Sequence, residues 1–94
     1  MSSLSAARTL LSAVSATGAS QAVQVDGGLP VFLQVSGITS ATAVLQGSLD
    51  GTTWSTLGSA LTADGMVIVA NAPKYVRANV TVYVSGTITA KILY

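Results

Sequence analysis

The side chains able to do chemistry in this 94-residue chain can be taken one by one. They are Arg8, Lys74, Arg77 and Lys91 against Asp26, Asp50 and Asp64, with no glutamate, histidine or cysteine. A nucleophile is normally activated by a His, Lys or carboxylate within hydrogen-bond reach of a Ser, Thr or Cys. Here the candidate bases are scattered, no catalytic motif surrounds them, and each Asp precedes a Gly in a turn-like context. Paired-carboxylate chemistry would require two of the Asp to meet in space. Without His or Cys, the usual ligand sets of zinc, iron–sulfur and haem sites are missing, as is thiol chemistry. Calcium takes roughly six to eight oxygens, more than the single carboxylate of Asp50 can organise. The expectation is a protein that is not an enzyme, with no catalytic residue, no cofactor and no metal.

The same arithmetic bears on binding. Charged residues make up 7% of the chain, against about 25% in average domains. Phosphate recognition asks for several Lys and Arg on one face. Four cations and a net charge of +1 leave no such footprint, so no nucleic-acid partner is expected. A membrane-spanning helix needs ~18 or more apolar residues in a row. The longest run here, Met66–Ala70, has five, so no membrane partner is expected. Leu10–Ala16 has the outline of a short secretion signal, but Arg8 lies beside the apolar run and Ser12 and Ser15 interrupt it. It reads instead as a mature N-terminal strand or arm.

Twelve Val, eleven Thr and four Ile favour strands. In Tyr75–Val84 the even positions are Val76, Ala78, Val80, Val82 and Val84, and the odd ones are Tyr75, Arg77, Asn79, Thr81 and Tyr83. That period of two predicts a strand whose valine row faces a core and whose other row faces water or a partner. Thr87–Ile92 repeats the pattern with Ile88, Ala90 and Ile92 inward. Ser85-Gly86 between the two runs reads as a hairpin turn. Upstream, Gln21–Val25, Val31–Val35, Ala41–Leu49 and Trp54–Leu57 read as further strands, with Gly47 as a bulge. The segments Asp26-Gly27-Gly28, Asp50–Thr53, Ala63-Asp64-Gly65 and Asn71–Lys74 read as the turns between them.

Short strands at spacings of about 8–12 residues, divided by Gly, Asp, Asn and Pro, predict an all-β fold. The expected architecture is a small antiparallel β-sandwich of jelly-roll or immunoglobulin-like type with seven to eight short strands. Residues 20–94 would form the single sandwich domain, and residues 1–19 an extended N-terminal arm or first strand.

Two stretches carry a family likeness. Residues 46–58 contain a S-x-D-G-x-x-W-x-x-L hairpin, and residues 73–80 a K-Y-V-R strand. Together they resemble discoidin-like sandwiches, and more closely the small β-sandwich proteins of phage virions, including decoration and appendage modules. The likeness covers Gln46 to Tyr94. Its turn has a physical basis: Asp50 can accept from backbone two residues on, Gly51 can take a positive φ, and Trp54 then returns as a plug for a small core.

Tyr75, Arg77, Asn79, Thr81 and Tyr83 form the sharpest surface constellation, because Tyr and Arg are frequent interface anchors. Leu4, Leu10 and Leu11 would join them if the N-terminal arm adds a strand to a neighbour's sheet edge. So little ionic surface suits a subunit that buries its apolar faces in an assembly, with a homotrimer favoured. The phage resemblance implies a virion location and the major capsid protein, or another virion protein, as partner. The leading expectation is a capsid decoration (cement) protein that stabilises the head by binding only its assembled state. The alternatives are a carbohydrate- or receptor-binding module of a tail or fibre, with Tyr75, Tyr83 or Trp54 as its platform, and a head–tail or neck component.

Overall fold

The computed structural model describes residues 7–25 and 27–94, so Leu4 and Asp26 lie outside the described residues. The strands are β1 (Ala7–Val14), β2 (Gly18–Ala19), β3 (Val23–Gln24), β4 (Val31–Ser48), β5 (Ser55–Leu61), β6 (Gly65–Val69) and β7 (Tyr75–Leu93). All pairings are antiparallel and join the strands into one sheet. The fold is all-β, as the periodicity predicts.

The strand count hides the organising feature, which is that β4 and β7 run to 18 and 19 residues. At ~3.3 Å per residue a straight strand of that length would span about 60 Å, yet the longest dimension is 37 Å. Both strands therefore bend, and they bend together. Ile38 pairs with Gly86 and Ser40 with Ser85, between regular ladders on either side. The N-terminal half of β4 and the C-terminal half of β7 form one half-sheet with β1 and β6. The other halves of β4 and β7 form a second half-sheet with β2, β3 and β5. Strands that pass from one layer to the other through a bend are a known way of making sandwich corners.

Glycine makes the corner possible. Gly37 has φ +82° and Gly86 φ +123°, and a Cβ at Gly37 would overlap the carbonyl of Thr87. A Cβ at Gly86 would lie 2.6 Å from the Gly37 oxygen. The Ile38 amide, freed from the ladder here, donates to Asp64 Oδ1 at 2.8 Å. The hairpin expected at Ser85-Gly86 is thus a corner within one continuous strand. Val31–Val35 and Ala41–Leu49, expected as separate strands, likewise fall in β4, except that Leu49 lies just beyond its end and is exposed. Turns and corners draw on the same residues, and only the partner strand tells them apart.

The core lies between the half-sheets. Val31, Leu33, Val35, Ile88, Ala90 and Ile92 face Ala41, Ala43, Leu45, Val76, Ala78 and Val80 within one buried cluster. The valine row of β7 holds only as far as Val80. Ala43 pairs with Val80 and Thr42 with Val82, so Thr81 is the extra residue of a bulge. Past it the faces exchange: Tyr83 packs against the core, while Val82 and Val84 are 52% and 69% exposed. Gly47 is not a bulge. It pairs in register with Ser55 and Val76, and a Cβ there would come within 2.6 Å of the Leu57 side chain.

The N-terminal segment is committed to the same sheet. β1 pairs with β7 from Ala7–Leu93 to Val14–Ile88, and Leu11 enters the core. A free arm could be deleted without unfolding the rest; removing residues 2–16 here would strip a strand from the first half-sheet.

Candidate functional site

The outer face of the second half-sheet holds the densest set of interface-type side chains. Register places Ser48 opposite Tyr75, Gln46 opposite Arg77 and Val44 opposite Asn79. Because Val76, Ala78 and Val80 point into the core, Tyr75, Arg77 and Asn79 must point outward.

The β4–β5 turn brings Trp54 to this face. Asp50 Oδ1 accepts from the Thr52 amide at 2.9 Å, the Thr53 amide at 3.0 Å and the Ser48 hydroxyl at 2.9 Å. The Ser48 Oγ in turn accepts from the Gly51 amide at 2.9 Å. These bonds favour the charged carboxylate, with Thr53 the largest cause, and hold the Asp50 pKa near 2 against an ordinary 3.8. The turn is the one the D-G dipeptide predicts, and Gly51 takes φ +78° as expected.

Trp54 does not plug the core. It is half-buried, and the Arg77 guanidinium lies over its ring, 4.2 Å from the centroid. Arg77 Nε also donates to Gln46 Oε1 at 2.8 Å. Stacking and the hydrogen bond together fix the guanidinium. Tyr75 flanks the pair, its ring alongside Gly51 and 5.6 Å below Lys74 Nζ. A groove of about 560 Å³ opens at the core side of the same turn, walled by Gly47, Ser48, Asp50, Ser55, Leu57 and Pro73, and Trp54, Arg77 and Tyr75 are not among its walls.

The other predicted interface residues are not brought to this cluster. Thr81 sits in the bulge. Tyr83 turns inward and donates its hydroxyl to the Gly86 carbonyl at 2.7 Å, so it does not continue the Tyr75–Arg77–Asn79 stripe. Leu11 is buried in the core and Leu10 packs against it, which removes both from any free arm; Leu4 lies outside the described residues. Nothing in the sequence marks Gln46, whose role comes from lying across the ladder from Arg77.

The fold has a known counterpart. The chain is similar to the PBSX exported protein XepA. The superposition has a TM-score of 0.69 and covers 96% of this chain at 13% sequence identity. It spans 37% of the XepA chain, so the likeness concerns a part of that protein and a shared fold. No family model and no curated protein matches the sequence.

Proposed function

We propose that the chain is a non-enzymatic structural protein of a phage virion, a capsid decoration protein that binds the assembled head through the Trp54–Arg77–Tyr75 face. The observation that carries this reading is the guanidinium of Arg77, fixed between the Trp54 ring and Gln46 on a weakly charged sheet. Trp, Tyr and Arg dominate interface hot spots. An anchor already held in place loses less side-chain freedom on binding. The likeness to a phage-derived exported protein supports the phage setting.

Among the described residues Asp50 and Asp64 are engaged in folding: Asp50 organises its turn and Asp64 accepts the corner amide of Ile38. The aromatic rings are engaged as well. Arg77 covers one face of Trp54, Tyr75 lies along Gly51, and Tyr83 is tied to Gly86. These contacts favour a protein partner over a sugar-stacking platform. In this reading the major capsid protein, or another shell protein, is the partner and the particle surface the location. Binding only the assembled state would stabilise the shell by mass action.

The test is binding of purified protein to assembled phage heads compared with free capsid subunits. Assembled heads should retain the protein and unassembled subunits should not. Arg77→Ala and Trp54→Ala should each weaken retention by tenfold or more, the scale of a hot-spot loss. Equal retention of both variants, or no preference for assembled heads, would overturn the reading.

A further inference from the structure

Beyond the shell-binding face, we infer that β6 is a self-pairing edge through which two copies of this chain form an antiparallel, two-fold dimer. The sheet has several edges, and most carry the features that discourage strand addition. β1 has two register shifts and bears Arg8. β2 and β3 are two residues each. β5 carries a register shift against β4 and a positive φ at Gly58. β6 has none of these.

Gly65–Val69 pairs with β4 over five consecutive residues without a shift. It contains no charge and no proline, and among the described residues its only ladder is with β4. Its outward side chains are large and apolar, with Met66 51% and Ile68 61% exposed. Beside them lies a groove of about 200 Å³ whose walls include Phe32, Met66 and Leu93.

A second copy fits this edge better than an unlike partner for a reason of symmetry. A strand pairing antiparallel with itself sets each residue against its mirror position about the axis, so the strand must be self-complementary: the two exposed apolar residues, Met66 and Ile68, stand symmetrically about Val67, with no charge to leave facing them. Centring the two-fold axis on Val67 gives the fullest overlap and places Met66 opposite Ile68 of the partner, joining the two exposed apolar residues on one face. The contact involves five residues a side, small beside the about 20–30 of a standard interface. It should therefore be a concentration-dependent dimer, and a two-fold pair in place of the trimer expected from composition.

The inference is independent of the shell reading, because dimerisation is measured in solution with no shell present. Light scattering across a hundredfold concentration range should show the mass rising from 9.4 kDa toward twice that value. Ile68→Lys, at an exposed position, should stay at the monomer mass with an unchanged far-ultraviolet circular dichroism spectrum. The chain has no cysteine, so mixing the single variants Met66→Cys and Ile68→Cys under oxidation reads the register directly. Directly opposed residues lie within disulfide reach and diagonal ones do not, so the mixed disulfide should dominate over either homodimer. A wild-type monomer at every concentration, a folded Ile68→Lys that still dimerises, or a mixed disulfide no more abundant than the homodimers would each overturn the inference.

Discussion

Alanine at Gly37 tests the corner on which the whole fold turns. Gly37 sits at φ +82°, and its built Cβ overlaps the Thr87 carbonyl of the facing strand. The left-handed backbone alone costs an L-residue roughly 1–2 kcal/mol. Relieving the overlap means parting two paired strands at their tightest point, which we place on the scale of overpacking, about 1–3 kcal/mol. The total of about 2–5 kcal/mol is a large share of the about 5–14 kcal/mol expected for a domain of this length. Gly51→Ala provides the control. Its φ of +78° is nearly the same, but a Cβ there meets only the Tyr75 ring at 3.7 Å, an ordinary contact. It should lose the backbone term alone. Urea unfolding followed by emission of the single tryptophan, Trp54, measures both variants with one probe. With a slope near ~1 kcal/mol/M, the midpoint of Gly37→Ala should fall about 1–3 M below that of Gly51→Ala, at unchanged slope. Coincident midpoints would refute the corner as a steric constraint.

Two further expectations follow from the same geometry. The Asp50 carboxyl titrates near 2 in the folded chain against an ordinary 3.8, so its stabilising contribution is complete above 3.8 and lost as pH falls toward 2. The melting temperature of the wild type should fall more steeply across that window than that of Asp50→Asn, and parallel curves would contradict the bonding at this turn. Ile88→Ala, at a position with no exposed surface, should cost about 2–5 kcal/mol. Val82→Ala, on the outer side of the bulge, should stay within about 0.5 kcal/mol of the wild type, and comparable losses in urea unfolding would contradict the exchange of faces at Thr81.

The candidate site was partly legible in the sequence. Tyr75, Arg77 and Asn79 stand on one face because alternation over a few residues is a local property of a strand. Unbroken alternation places Tyr83 with them, but the extra residue at Thr81 exchanges the faces from there to the Gly86 corner. The Asp50-Gly51 turn delivers Trp54 by local chemistry, but the residue that packs on its ring comes from far along the chain. The Arg77 guanidinium reaches it through a pairing of β4 with β7, and Gln46 joins for the same reason.

The sequence by itself determined what depends on neighbours in the chain: strands throughout, inward rows at Val31–Val35 and Ile88–Ile92, and the Asp50-Gly51 turn. It also limited the chemistry, since the available side chains are a matter of composition. The tertiary structure alone decided what depends on residues far apart. Whether Gly86 ends a strand or bends it is set by Gly37, 49 positions earlier, lying against it. Whether Ala7–Val14 is an arm or an edge strand is set by the last residues of β7. A glycine supplies the same freedom in either setting, and only the strand packed against it selects the use.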